Sequence, residues 1–226
     1  MVIAKAPAPG RSKTRLCPPC TPREAATLAE AALRDTLAAV AACPARRRLL
    51  ALEGEAGSLL PPDFELLEQE GDGLGQRLGH ALAAAGGPAV VVGMDTPQLA
   101  PELLERAAAT LADDGVDAVL GPALDGGYWT IGLKRPEPGV FRGVPMSEAD
   151  TYRVQAQRLT ELGLRWTRLP PLRDVDTFAD ARAVALLDPG TAFAAALRSV
   201  SGRDPSRDEQ SVTEAPTRLG LEIPHR

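Results

Sequence analysis

Histidine appears twice in the 226 residues, cysteine three times and lysine three times, and aromatics make up only 4% of the chain. Each scarcity removes a class of chemistry. A zinc site needs a second pair of ligands beside Cys17-Pro-Pro-Cys20, but only Cys43, His80 and His225 remain, with no second spaced pair. A thiol-disulfide motif of this type should open a helix after a strand, whereas the two prolines hold this one in a loop. An odd cysteine count suits a reducing compartment. No apolar run approaches the ~20 residues that a membrane helix needs. The first residues lead straight into strand-like sequence without a signal-peptide pattern, so a cytoplasmic protein is expected. A net charge of −5 and a pI near 5.2 exclude a general nucleic-acid binder, which would carry a basic face. They leave room for a local cationic pocket. With 44% hydrophobic content over this length, one domain with a full core is expected.

Where the few lysines fall is informative. Lys5 and Lys13 lie in the first loop beside Arg11 and Arg15, and the only other lysine is Lys134. A chain that otherwise prefers arginine places compact ammonium groups here, as a phosphate held in a strand-to-helix loop would require. Gly10-Arg-Ser-Lys13-Thr14 lacks the glycine directly before lysine that a P-loop needs, so a P-loop nucleoside triphosphatase is excluded. The plainer alternative is a solvated basic loop.

Residues 88–97 read as a buried strand that runs into a carboxylate. Val90, Val91 and Val92 are an unbroken β-branched run, as in strands covered on both faces. Gly93 thins the chain, Asp95 follows, and Pro97 stops the ladder. A carboxylate at the carboxyl end of a central α/β strand lies where such sheets bind ligands. The alternative is that Asp95 or Thr96 only caps the next helix.

Three further clusters join these. Gly71, Gly73 and Gly75 alternate just before a helix that carries Arg77, which suits either close approach to a ligand or a flexible turn. Asp125-Gly126-Gly127 is a turn into Tyr128-Trp129, where two of the scarce aromatics sit side by side. Adjacent strand residues face opposite ways, so one of the two is expected to face a cleft. Asp174 and Asp176, two apart in extended chain, point the same way. Like-facing carboxylates repel unless a cation holds them, and Mg²⁺ takes one or two carboxylates and leaves its other positions to water and phosphate. Asp95 and Asp176 are the expected ligands of a divalent cation.

Strands are expected at 2–4, 46–53, 64–68, around 90–92 within the 88–97 stretch, 116–122, 128–133 and 164–169, with helices between most of them. Thr21/Glu24 and Thr177/Asp180 form capping boxes, and 147–150 is expected to cap a helix running to about 162. The alternation predicts an α/β fold with a mostly parallel central sheet flanked by helices over 1–200. From 201 to 226 the chain turns polar without periodicity and reads as a disordered tail.

Taken together, Lys5-x-Pro-x-Pro-Gly10-x-x-Lys13-Thr14-Arg15-Leu16, Gly75-x-Arg77, Gly93-x-Asp95-x-Pro97, Asp125-Gly126-Gly127-Tyr128-Trp129 and Asp174-x-Asp176-Thr177 resemble a bacterial transferase family. It is the arsenosugar-biosynthesis-type glycosyltransferases, or radical-SAM/selenodomain-associated transferases, of the nucleotide-diphospho-sugar transferase (GT-A) superfamily. The resemblance spans about residues 1–190 and departs at Met146, where that family carries tryptophan. It implies a single Rossmann-like GT-A domain that moves a sugar from a nucleotide-sugar donor to a small-molecule acceptor with Mg²⁺ or Mn²⁺. It implies nucleotide contacts in the first loop and glycine turn: Ala6, Pro7, Gly10, Arg11, Lys13, Arg15, Gly73, Gly75 and Arg77. It implies a metal at Asp95 and Asp176. The acceptor is expected beside Asp125, Gly126, Gly127, Tyr128 and Trp129. Lys13, Asp95 and Asp125 are the catalytic candidates, Asp125 as general base. The sequence also resembles, more weakly, the 2-phospholactate guanylyltransferases, through the early Lys-x-Arg-Leu, the Asp-Gly-Gly turn and the late Asp-x-Asp-Thr. That makes nucleotidyl transfer to a phosphorylated acceptor the alternative, and a non-catalytic nucleotide-binding regulator a second one. No nucleic-acid or membrane partner is expected, and a homodimer is compatible with the chain.

Overall fold

In the protein's structure, a computed structural model, the strands lie in one sheet of order β3-β2-β1-β4-β6-β5-β7. They are β1 (Val2–Lys5), β2 (Leu49–Glu53), β3 (Glu65–Glu68), β4 (Ala89–Val92), β5 (Ala118–Pro122), β6 (Tyr128–Leu133) and β7 (Trp166–Arg168). The described residues are 1–137 and 139–202. Residues 203–226, within the stretch expected to be a disordered tail, lie outside them. Every pairing is parallel except those of β6, which runs against β4 and β5. The mostly parallel α/β sheet is therefore as expected, with one reversed strand.

The helices are α1 (Pro22–Ala42), α2 (Leu74–Ala84), α3 (Pro101–Ala112), α4 (Thr151–Glu161), α5 (Phe178–Leu187) and α6 (Ala192–Ser201). They cover both sheet faces. Val92, Leu50 and Trp129 point into one buried layer with Leu33 of α1 and Leu104 of α3. Val91, Ile131 and Ala51 point into the other with Leu82 of α2 and Leu159 of α4. That explains the unbroken valine run, since alternate side chains are buried on opposite sides. β6 packs closely on β5 because Gly121 leaves room for the Trp129 ring: a Cβ there would stand 2.5 Å from the indole.

Both expected capping boxes form, at Thr21/Glu24 and Thr177/Asp180. The expected cap at 147–150 does not. Ser147 sits at φ +64°, and Asp150, at the N-cap of α4, makes no side-chain capping bond. Thr151 orders this corner instead, donating to the Pro145 carbonyl at 2.8 Å and accepting from the Glu148 N–H at 3.0 Å. Neither Asp95 nor Thr96 caps a helix, because α3 starts at Pro101 after Ala100. The capping alternative for Asp95 is thereby removed.

The topology makes a cleft. β1 pairs with β4 only at Val2–Val92, so the two strands separate beyond that point. To one side the order runs through β2 and β3, and to the other through β6, β5 and β7. This is a topological switch point, where open α/β sheets bind ligands at the carboxyl ends of their strands.

Candidate active site

The cleft at the switch point encloses about 900 Å³, within the usual range for a small-molecule site. At its centre is an ion cluster. The chain turns sharply after β1, with the Ser12 hydroxyl accepting from the Ala8 N–H at 2.9 Å. Lys13 then adopts a left-handed backbone, φ +49°. Its ammonium lies between Asp95, at 2.8 Å, and Asp176, at 3.2 Å. Arg15 reaches the other oxygen of Asp176 at 3.5 Å from an exposed position. Burial works against the Lys13 charge, but Asp95 and then Asp176 outweigh it and hold its pKa above the ordinary lysine value. The β4 and 173–176 segments are tied together by the Val175 N–H, which donates to the Asp95 carbonyl at 2.9 Å.

Asp174 is the strained member of the cluster. Its Oδ1 is sealed from solvent and has no hydrogen-bond partner. Burial first, then the charges of Asp95 and Asp125, push its pKa up from 3.8 to about 7, against the pull of Lys13. A buried carboxylate oxygen without a donor, facing other carboxylates, is a place for a cation or a proton. Among the described residues, no three His, Cys, Asp or Glu side chains form a metal-holding group on their own. The donor set present is the carboxylate pair Asp95 and Asp176, both turned to one cationic group. That fits a hard divalent ion which completes its shell with water and phosphate oxygens.

The two ends of the cleft differ. Towards β2 and β3 it is lined by Ile3, Gln69, Gly73, Leu74, Arg77 and Leu78. Arg77 bonds the Glu53 carboxylate, which Lys5 also approaches at 3.3 Å, and donates to the Gly71 carbonyl at 3.1 Å. Its guanidinium thus braces the glycine turn. Towards β6 the cleft is lined by Asp125, Tyr128, Met146, Ser147 and Glu148. Asp125 is exposed and accepts from the Gly127 N–H at 2.9 Å. The Tyr128 hydroxyl points at the Met146 sulfur, 3.6 Å away, and burial raises its pKa.

The remaining expected residues divide. Arg11, Lys13, Arg15, Gly73, Arg77, Asp95, Asp125, Gly127, Tyr128 and Asp176 line the cleft. Trp129 contributes to its wall, but the ring is 2% exposed and belongs to the core, with its N–H donated to the Pro170 carbonyl at 3.0 Å. Ala6, Pro7, Gly10 and Gly126 do not line it, and Gly75 packs under Phe141 and Met146. Sequence reasoning alone does not single out Gln69 as a cleft residue, and it marks Asp174 only as the partner of Asp176, not as an expected ligand itself. Asp174 carries the signal of the 174/176 pair, and Gln69 carries none beyond its place before the glycine turn. The cysteines are free. Burial, then Glu24, pushes the Cys20 thiol up to about 11, so it stays protonated at neutral pH.

A family model described as "uncharacterized protein conserved in bacteria" (DUF2064) matches residues 27–148. The chain belongs to this family. This DUF2064 member is also similar to a solved "putative nucleotide-diphospho-sugar transferase" from Desulfovibrio desulfuricans, with 30% identity, 88% of this chain and 93% of that chain covered, and a TM-score of 0.79. More distant likenesses show the fold alone. Rv0371c from Mycobacterium tuberculosis has 21% identity, a TM-score of 0.52 and coverage of 83% and 96%. A CMP:2-keto-3-deoxy-manno-octonic acid synthetase solved with CTP has 11% identity, a TM-score of 0.55 and coverage of 84% and 98%. No curated protein matches the sequence. The fold is that of the nucleotide-diphospho-sugar transferases.

Proposed function

We propose that this protein is a nucleotide-using transferase that moves a sugar from a nucleotide-diphosphate-sugar to a hydroxyl of a small, uncharged acceptor. The observation that carries the reading is the division of one cleft by charge. Among the described residues, all the cationic ones that line it, Lys5, Arg11, Lys13, Arg15 and Arg77, lie on the β1 and α2 side, whereas the β6 end offers Asp125 and Glu148. Cations attract a diphosphate. An acidic end repels a phosphorylated acceptor and suits a sugar or polyol hydroxyl. That difference favours glycosyl transfer over nucleotidyl transfer to a phosphorylated molecule. The similarity to the Desulfovibrio protein and to the arsenosugar-type glycosyltransferase pattern supports the same reading.

In this reading Arg11 and Arg15 draw the diphosphate in, and Lys13 is the buried charge beside it. Asp95 and Asp176 would hold Mg²⁺ or Mn²⁺. When bound, such an ion neutralises charge at the departing diphosphate. Asp125 has one oxygen held by the Gly127 N–H and the other free to take a proton from the acceptor hydroxyl. Most of the rate then comes from positioning and from charge already in place.

The test is an assay with Mg²⁺ or Mn²⁺, a panel of nucleoside triphosphates and nucleotide-sugars, and hydroxyl or phosphorylated acceptors. Nucleoside diphosphate release with an unphosphorylated acceptor is expected. Pyrophosphate release confined to a phosphorylated acceptor would replace this reading by nucleotidyl transfer, and tight binding without turnover would replace it by a regulator. In parallel, Asp95→Asn is expected to abolish the metal-dependent part of the nucleotide-induced thermal shift. An unchanged metal dependence would remove Asp95 from the metal site.

A further inference from the structure

The Lys13 ammonium stands on the two carboxylates that the cleft offers a divalent ion. Its Nζ lies 2.8 Å from Asp95 Oδ1 and 3.2 Å from Asp176 Oδ1. Arg15 approaches the second oxygen of Asp176, so that carboxylate already faces a cation at each oxygen. The two contacts differ in kind. The Lys13 side chain is only 11% exposed, whereas that of Arg15 is 78% exposed and screened by water. A metal ion held by Asp95 and Asp176 and an ammonium held by the same pair would be nearest neighbours of like sign in a half-buried site, where such charges repel strongly. The ion and the ammonium therefore exclude one another.

The loop allows the ammonium to leave without moving the chain. Lys13 is the N-cap of a short 3₁₀ turn over residues 14–16, and its carbonyl accepts from the Leu16 N–H at 2.9 Å. The backbone is thus tied down, while the side chain keeps the rotatable four-carbon stem of any lysine. Arg11 and Arg15 line the same cleft. A diphosphate drawn to them would offer the Lys13 ammonium a partner of higher charge than either carboxylate.

We propose that Lys13 is a gate on the metal site: in the free protein its ammonium closes the Asp95–Asp176 pair to divalent ions, and a diphosphate opens the pair by drawing the ammonium onto itself. The assignment rests on the metal reading above. It adds an order of events. The free protein takes up little metal, and the carboxylates become available when the diphosphate arrives. One charge then serves twice, because the group that leaves the carboxylates is the group that meets the phosphate. The two ligands reinforce each other through this one side chain.

The experiment is titration of the metal-free protein with Mn²⁺ alone, followed by the EPR signal of the free ion, for the wild type, Lys13→Met and Arg15→Gln. Lys13→Met is expected to bind Mn²⁺ at least about tenfold more tightly than wild type, the weight of one hydrogen bond to a charged group. Arg15→Gln removes the same unit of charge from the same carboxylate but leaves the ammonium in place. Its Mn²⁺ affinity is expected to stay within about threefold of wild type. Equal gains in the two variants would make the effect one of net charge, and that overturns the proposal. So does a wild type that binds Mn²⁺ as tightly as Lys13→Met. Because methionine leaves Asp95 and Asp176 without this donor, Lys13→Gln takes its place if it does not fold: the neutral amide still donates to a carboxylate, and the same gain is expected. A last arm uses only the wild type. Calorimetric titration with pyrophosphate should show at least about tenfold tighter binding with Mn²⁺ than without it, at a Mn²⁺ concentration too low to load the free protein. Equal pyrophosphate affinities overturn the proposal. If no protein binds Mn²⁺ with or without pyrophosphate, the metal reading itself fails. If Mn²⁺ binds and the Lys13 substitutions leave its affinity unchanged, the Lys13 assignment alone fails.

Discussion

Replacing Asp174 by asparagine is expected to raise the melting temperature of the metal-free, ligand-free protein by about 6–12 °C at pH 8, by roughly a third of that at pH 5, and to leave it nearly unchanged at pH 4. The folded-state pKa of Asp174 is raised from 3.8 to about 7, by burial first and then by Asp95 and Asp125. In the unfolded chain the group ionises near its ordinary value. Between about pH 4 and pH 7 the folded state therefore holds a proton that the unfolded state has released. Stability falls as pH rises through that window and levels off above it. The shift corresponds to a cost on the order of 3 kcal/mol once the remaining exposure of the side chain is discounted. Asparagine is neutral throughout and close in shape, so it removes a cost that is absent near pH 4, grows as the unfolded chain's aspartate ionises and is complete above about pH 7. Thermal melts of both proteins from pH 4 to 9 in metal-free buffer check this. Equal gains at every pH would assign the effect to packing, and no gain at pH 8 would mean that Asp174 is not strained. A carboxylate that weakens the free protein while facing the centre of the cleft is what a cation-dependent binding site predicts.

Much of this arrangement can be read in the sequence, and the reasons are local. The valine run 90–92, followed by glycine, aspartate and proline, identifies a doubly buried strand and its end without knowledge of its neighbours. Thr21/Glu24 and Thr177/Asp180 announce their helices because a capping box is complete within four residues. What cannot be read depends on distant partners. Lys13 meets Asp176 across 163 positions, so its role as a counter-ion within the carboxylate cluster has no local signature. Gln69 braces Ala4 across 65 positions, and a glutamine before a glycine turn reads as ordinary loop. Ser147 looks like a helix cap by type, but its left-handed backbone and the Thr151 bonds to the same corner exclude it. The neighbouring Tyr128 makes Trp129 look like an acceptor contact. Pleating turns the two to opposite sides, and the indole fills the space left by Gly121 in the core.

Gly126→Ala is expected to cost at least about 3 kcal/mol, a fall of about 6–12 °C in melting temperature, and to disable the end of the cleft proposed for the acceptor while leaving the end proposed for the diphosphate intact. Gly126 sits at φ +96°, and an added Cβ would lie 1.9 Å from the Ala149 carbonyl oxygen and 2.6 Å from its carbon. Those are backbone atoms, so no rotamer change relieves the overlap. The Asp125-Gly126-Gly127 turn is pinned against the start of α4 by the Tyr152 N–H, which donates to the Gly126 carbonyl at 2.9 Å. The alanine variant must therefore either push the turn off the 148–152 segment or shift that segment itself, and both displace Asp125. Gly163→Ala separates strain from overlap. Gly163 has φ +70°, and an added Cβ would meet no heavy atom within 4 Å, so only the left-handed penalty of about 1 kcal/mol applies. Pyrophosphate titration of folded Gly126→Ala at low temperature should give wild-type affinity, because Arg11, Lys13 and Arg15 stand on the opposite side of the cleft. Turnover of any acceptor should be lost. Equal melting temperatures for the two alanine variants would show that the turn yields without cost, and then the acceptor end is not held by Gly126.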